Sequence, residues 1–411
     1  MGCPHFGSCG GCDCQDLTYE EQLTKKEREV MALLFDVVQN KDCLYEKAVE
    51  SPLHQGYRNK MEFTFGNERK DGPLTLGLHR KKSFFDILPV TECNIVDADF
   101  RRILTATTDY FGARQIPFFH RKSHEGYLRH LLVRKGAHTG EILIDLVTTW
   151  NGKRPQERYG DKRDFPVDRC FVPEEDALLA GYVELLQSLP FDGTLCGILH
   201  TRNDSMADVI RDEGTDLLYG RDYFFEELLS LLFRITPFSF FQTNSLGAEA
   251  LYSVVREYVL VAGKEFGNVY DLYSGTGTIA QLLSPVAAHV TGVEIVEEAV
   301  AAARDNAEEN GLSNCTFYAG DVLKVLDDLT ELPDLIVLDP PRDGVQAKAL
   351  SKILQYGVPH IVYVSCKPTS LARDLVPIQA AGYSVERVRC VDMFPFTRHV
   401  ETAVLLQRND T

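Results

Sequence analysis

The chain has 411 residues, enough for two or three domains, and its 44% hydrophobic content is that of an ordinary globular protein. Its formal net charge of −17, taken whole, argues against a nucleic-acid partner, because phosphates must be met by Lys and Arg. The opening Met1-Gly2-Cys3-Pro4-His5-Phe6 has no basic stretch followed by an apolar run, and no segment approaches the ~20 apolar residues of a membrane helix. A cytoplasmic location without a membrane partner is therefore expected, and there the eleven cysteines are not expected to form disulfides.

In chain order, the first feature is a crowd of cysteines at Cys3, Cys9, Cys12 and Cys14. Three soft thiols at C-x5-C-x2-C spacing point to zinc or an iron–sulfur cluster, and spacing does not choose between them. Residues 16–39 follow as an amphipathic helix, with Leu23, Val30, Leu33, Leu34 and Val37 near helical spacing. From about 57 to 150 the pattern is of short strands, in KMEFTFG, LTLGLHR, FFDILPV and EILIDLVTT, broken by Gly, Pro and Asp. Charge is not uniform here. Residues 51–140 hold 15 Lys and Arg against 9 Asp and Glu, with six of the 11 His. A local basic face on an acidic protein can hold RNA. Arg58, Lys60, Arg80, Lys81, Lys82, Arg121, Lys122 and Arg129 are its candidates. Of the interleaved aromatics, Tyr57, Phe63, Phe84 and Phe85, most are expected in the core on strands rather than as stacking platforms.

Residues 173–188 return to a helical pattern, and TLCGILHTRN and DYFFEELL read as strands. Near Ile235 strands and helices begin to alternate, as in a doubly wound parallel sheet. Three segments are expected: 1–50, cysteine-rich with a helix; 51–230, a middle α+β domain; and 231–411, the α/β sheet.

NVYDLYSGTGTIAQLL reads as strand, glycine turn and helix, with Gly275 and Gly277 letting the backbone bend and approach a ligand. HVTGVEIV ends in Glu294, placed to accept both ribose hydroxyls of a nucleoside, and CTFYAGDV ends in Asp321, where an adenine could sit. A dinucleotide could use such a turn. The form D-x-x-S-G-T-G-T, without a long phosphate-binding turn, favours S-adenosylmethionine and resembles motif I of class I methyltransferases.

Downstream, LIVLDPPRDGV carries Asp339, HIVYVSCKPTSLARDL carries Cys366, and TRHVETAVLL carries Glu401. Strand carboxyl ends converge on the ligand crevice, so Asp339 and Cys366 should share one edge. A thiolate adding to C6 of uracil makes C5 nucleophilic toward a methyl sulfonium. A base then removes the C5 proton so that the thiol can leave. Cysteine, with a reference pKa of ~8.5, suits the first role, helped by Lys367 or Arg342, and glutamate suits the second. Each residue alone also has a plain structural reading, as a buried thiol, a solvated acid or a turn.

Together SGTG, LDPPR, VSCKPTSLARD, HVETAVLL and FFQTN (240–244) closely resemble the RNA 5-methyluridine (uracil-5-) methyltransferase family. The resemblance implies a class I, Rossmann-like methyltransferase sheet, with Cys366 as nucleophile and Glu401 as base. It also implies cofactor contacts from Gln242, Tyr273, Glu294, Asp321 and Asp339. C-x5-C-G-G-C and the later TECNI resemble the [4Fe-4S]-binding members, which implies Cys3, Cys9, Cys12 and Cys93 as ligands, with Cys14 the rival for the fourth place. Many members carry a β-barrel RNA-binding domain before this motif; the motif here starts at residue 3, so RNA contact is expected from the middle domain and the cluster region. The resemblance implies RNA as partner, 23S ribosomal RNA ahead of transfer RNA, and no obligate protein partner. Two other readings stay open: an exocyclic-amine methyltransferase that needs no cysteine, and a non-catalytic RNA-binding factor.

Overall fold

The computed structural model describes residues 2–151, 170–207 and 209–409. It divides into two compact units rather than the three expected segments. One comprises residues 1–15, 55–226 and 235–237; the other comprises 16–54, 227–234 and 238–411.

The second unit is built on an eight-stranded sheet. Across it run Leu44–Val49, Tyr383–Val391, Glu401–Arg408, His360–Ser365, Leu335–Leu338, Phe266–Leu272, Ala287–Glu294 and Cys315–Ala319. The five strands from 266 to 365 are mutually parallel, and Glu401–Arg408 inserts antiparallel between its two neighbours. This is the doubly wound α/β sheet expected from the alternation after Ile235. Its central strands, such as Leu335–Leu338 and His360–Ser365, are buried almost throughout, because helices cover both faces of such a sheet.

Residues 16–54 differ from expectation. The helix Tyr19–Phe35 forms with a Thr18–Glu21 capping box. It packs into the core of the C-terminal sheet through Leu23, Val30 and Leu34. Lys26, 4% exposed, reaches Asp392 at 2.8 Å and the Phe394 carbonyl at 3.0 Å. The strand Leu44–Val49 then pairs parallel with Tyr383–Val391. The apolar stripe of the helix thus serves a partner more than 300 residues away in sequence.

The first unit carries a seven-stranded sheet in the order Ile87–Leu88, Thr75–His79, Lys60–Gly66, Leu128–Lys135, Glu141–Thr148, Thr194–Arg202 and Thr215–Gly220. Only the pairing of 141–148 with 194–202 is parallel. The helix Glu175–Ser188 lies where expected. A second helix, Ala98–Ala113, interrupts the stretch read as strands; Asp97 caps it, and Phe100, Ile103, Leu104 and Phe111 are buried. Among the described residues no helix is long and apolar enough to cross a membrane.

Candidate active site

After Leu272 the chain turns through Tyr273, Gly275 and Gly277, with φ of +68°, +54° and +72°. Glycine adopts this left-handed backbone freely, whereas a tyrosine is strained there. The Tyr273 and Ser274 N–H groups donate to the Val293 carbonyl at 2.9 and 3.0 Å, which holds the turn. A Cβ at Gly277 would lie 2.5 Å from the Phe317 ring and 2.9 Å from Ala303, so the loop is packed hard against the next strand and helix.

Glu294, at the end of the neighbouring strand, accepts from the Gly275 N–H at 3.1 Å with one oxygen. Its other oxygen takes the Ile295 and Val296 N–H groups at 2.9 and 3.0 Å. Asp321 caps the helix Val322–Asp328, accepting from the Leu323 N–H at 2.8 Å. Its charge acts on Tyr273, whose hydroxyl is pushed up to about 12 by burial first and by Asp321 and Asp374 after it.

The register gathers the other residues. Leu338 pairs with Tyr363, and Ser365 pairs with Thr402. Asp339 and Cys366 therefore stand one residue beyond their strands, and Glu401, one residue before Thr402 on an antiparallel strand, emerges at the same edge. The placement of Glu401 depends on that reversal of direction, which pattern alone did not supply. Burial pushes the Glu401 carboxyl up to about 8, with the Asp339 charge adding and Arg342 opposing. Burial pushes Asp339 up to about 7. The Cys366 thiol rises to about 11 through burial, then Glu401 and Asp339, against Arg342. Of the two cations expected beside the thiol, Arg342 acts on it. The backbone N–H of Lys367 donates to the Ser365 hydroxyl at 3.2 Å. Gln242 hydrogen-bonds Tyr252, a buried phenol raised by burial and by Asp339, Asp271 and Glu401.

Asp271 was not singled out from the sequence. It is fully buried in the strand before the glycine turn and accepts from the Ala280 N–H at 2.9 Å. Burial, then Asp339 and Glu294, push it up to about 8. The signal was present as the first letter of D-x-x-S-G-T-G-T. The result is a buried group of carboxylates with one guanidinium, an environment that favours a cationic ligand over a neutral one.

In the other unit, Cys3, Cys9, Cys12 and Cys93 line one small cavity with Leu78, Val90 and Ile95. Cys14 is buried but does not line it. The Gly11 N–H donates to Cys9 Sγ at 3.3 Å and Gln15 Nε2 to Cys12 Sγ at 3.7 Å. Burial pushes Cys12 up to about 12 and Cys93 up to about 11, with the other thiols adding to both. Among the described residues no group of three or more His, Cys, Asp or Glu side chains is placed to hold a metal ion. Four thiols spaced around a shared void, two of them receiving N–H donors, suit a polynuclear group with thiolate ligands.

The basic stretch is only partly a surface. Arg129, expected to face RNA, is 3% exposed, and its guanidinium donates to the carbonyls of Asn203, Ser205 and Ala207. It braces a loop and is unavailable to phosphate. Tyr57 and Phe63 are buried, as expected, whereas Phe84 and Phe85 are exposed.

A family model described as tRNA (Uracil-5-)-methyltransferase matches residues 323–409, and one described as a methyltransferase domain matches 269–355. An RNA methyltransferase of Clostridium tetani, itself uncharacterized, is 47% identical over 100% of this chain and 84% of its own length. One from Bacteroides thetaiotaomicron is 35% identical over 98% of this chain and 87% of its own. Among solved structures, the Pyrococcus abyssi tRNA (uracil-54, C5)-methyltransferase in complex with S-adenosyl-L-homocysteine superposes with a TM-score of 0.73 at 27% identity. The match covers 97% of this chain and 86% of that one. The likeness extends across both units, with the strand ends at Glu294 and Asp321 and the Asp339–Cys366–Glu401 edge inside the matched stretches, and it settles the class I fold. This chain belongs to the RNA uracil-5-methyltransferase family, whose members use S-adenosylmethionine to methylate RNA.

Proposed function

We propose that this protein transfers a methyl group from S-adenosylmethionine to C5 of a uridine in RNA through a covalent adduct between Cys366 and C6. The observation that carries the reading is the register that sets Cys366 opposite Glu401, with Asp339 on the adjoining strand end. Gln242, Tyr273, Glu294, Asp321 and Asp339 hold the cofactor, which supplies an electrophilic methyl on a cationic sulfur. Glu294 receives the ribose hydroxyls, and Asp339 stands where it can also meet the uracil ring. The Cys366 thiol, protonated at neutral pH in the free protein, loses its proton as positive charge enters the carboxylate group and Arg342 supports the thiolate. The sulfur bonds to C6, the C5=C6 electron pair moves onto the C4 carbonyl as an enolate, and C5 takes the methyl as the bond from that methyl to the sulfonium sulfur breaks and S-adenosylhomocysteine is left. Glu401 then removes the C5 proton, the C5=C6 bond re-forms and the C–S bond breaks. The uridine leaves its stack to expose both the ring edge and the face.

Cys3, Cys9, Cys12 and Cys93 hold a [4Fe-4S] cluster. Their chemistry and their common cavity support this, and methyl transfer needs no electron from it, so its role is structural or RNA-facing. Ribosomal RNA, 23S in particular, is the substrate favoured by the resemblance to cluster-binding members, acting in the cytoplasm. A second reading, transfer RNA, is favoured by the substrate of the Pyrococcus abyssi protein.

The test uses anaerobically purified protein with S-adenosylmethionine and unmodified ribosomal or transfer RNA, read by nucleoside mass spectrometry. 5-Methyluridine from the wild type and none from Cys366→Ala is the expected result, and the RNA that carries the mark gives the substrate. Methylation at another atom, or by the variant too, overturns the covalent mechanism in favour of amine methylation.

A further inference from the structure

The loop between the strands Thr75–His79 and Ile87–Leu88 does something unusual with two phenylalanines. Phe84 is 78% exposed and Phe85 50%. Scattered exposed apolar residues are ordinary, but adjacent bare rings on a rigid loop are not. The loop is rigid by construction. Lys82 sits in the left-handed region at φ +65°, and the Ser83 N–H donates to the Arg80 carbonyl at 2.9 Å. The Ser83 hydroxyl accepts from the N–H groups of Phe85 and Asp86 at 3.3 and 3.2 Å. Arg121 Nη1 grips the Phe84 carbonyl at 2.8 Å. The base of the loop is tied to the cysteine motif, where Cys9 and Arg80 form a β-bridge and the Lys81 N–H donates to the Ser8 carbonyl at 2.7 Å.

Cations flank the rings, and the one carboxylate of the loop, Asp86, lies 3.8 Å from Arg80. Lys122 lies 4.7 Å from the Phe85 ring centroid. Lys82 and Lys122 are exposed, and among the described residues neither makes an ion pair. Arg80 and Lys81 are engaged by Glu68 and Asp13, at 3.1 and 3.9 Å. Bare aromatic faces flanked by unpaired ammonium groups match the chemistry of an unpaired nucleotide, whose base stacks while its phosphate meets the lysines.

We propose that Phe84 and Phe85 form a stacking platform for unpaired bases of the RNA substrate, with Lys82 and Lys122 holding the flanking phosphates. This rests on the reading of the protein as an RNA-modifying enzyme and extends it to how single-stranded RNA is held. The platform recognises base faces, not base edges, so it fixes the strandedness of the bound segment rather than its sequence.

The test uses anaerobically purified full-length protein and two fluorescein-labelled probes, a twelve-nucleotide oligouridine and a twelve-base-pair RNA duplex, read by anisotropy. Phe84→Ala and Phe85→Ala should each weaken oligouridine binding by about 5- to 150-fold, the equivalent of one lost base stack. Duplex binding should change by less than twofold. Phe84→Trp should restore affinity and show quenched tryptophan emission on binding. Both rings are exposed, so thermal unfolding should not move. Unchanged oligouridine affinity in both alanine variants overturns the proposal, as does full affinity in Phe84→Leu, which keeps the apolar bulk and loses the aromatic face. A platform for a protein partner gives the first of these results. Nucleoside analysis of the same preparations separates the two claims. If 5-methyluridine never forms but oligouridine binding depends on Phe84, the assigned reaction fails and the platform stands. If methylation proceeds and the rings are dispensable, the reverse holds.

Discussion

Glu401 is one of the carboxyls in the C-terminal unit that burial displaces most, with Asp271. Its carboxyl is buried beside Asp339, so the folded protein holds it protonated to about pH 8, well above the ordinary carboxylate range. The folded state thus binds a proton that the unfolded chain has already released, and stability must fall as pH rises from the ordinary value toward 8. Glu401→Gln removes that penalty. It should raise the melting temperature of the cofactor-free protein at pH 8.5 by more than at pH 5, equivalent to about 1–2 kcal/mol. Equal shifts at the two pH values would show that the carboxyl is not titrating in this window. On the proposed mechanism the same variant cannot take the C5 proton. With S-adenosylmethionine and RNA it should accumulate a covalent protein–RNA species that survives denaturing electrophoresis, and Cys366→Ala in the same background should abolish it. As only the carboxylate is a base, single-turnover release of 5-methyluridine by the wild type should rise with pH and level off at or below about 8, the value of the ligand-free protein.

At the scale of elements, the glycine turn is the most exacting piece. Gly277 combines φ +72° with a Cβ position already occupied by Phe317 and Ala303. Gly277→Val should cost about 2–4 kcal/mol in urea unfolding and weaken S-adenosylhomocysteine binding measured by calorimetry. Unaltered binding would mean that the turn does not shape the cofactor site. This turn was easy to read, because glycines between an apolar strand and a helix have few other uses. The helix Ala98–Ala113 was missed because its Phe100, Ile103, Leu104 and Phe111 lie among strand-like runs, and three β-branched threonines weaken its helical signature. Asp271 was passed over because a carboxylate inside an apolar strand looks like the end of that strand; its burial is a property of the packed sheet. Cys93 and Cys14 could not be ranked from spacing, since a fold that brings residue 93 to the cavity and turns residue 14 away is tertiary information.

For the whole molecule, the net charge proved a poor guide, because an acidic total coexists with a loop region in which Lys82 and Lys122 are exposed and, among the described residues, make no ion pair. The two compact units should also respond separately to metal loss. Oxidation with a chelator should strip iron and sulfide, read by elemental assay and visible absorption, and lower RNA affinity. Calorimetric S-adenosylhomocysteine binding should remain within about twofold. Equal loss of both activities would argue that the cysteine site supports the cofactor unit directly.

The helix Tyr19–Phe35 and the strand Leu44–Val49 belong with a sheet whose matching edge, Tyr383–Val391, is translated more than 300 residues after them. Emerging from the ribosome, the chain makes an amphipathic helix and an unpaired strand and must carry them unsatisfied over that interval. Such a segment is a natural client for holding chaperones, and a ribosome that stalls before residue 383 releases a chain whose first partner never arrives. Synthesis in this order favours quality control: a polypeptide cut short before residue 383 leaves this segment bare, and one that passes it covers the segment.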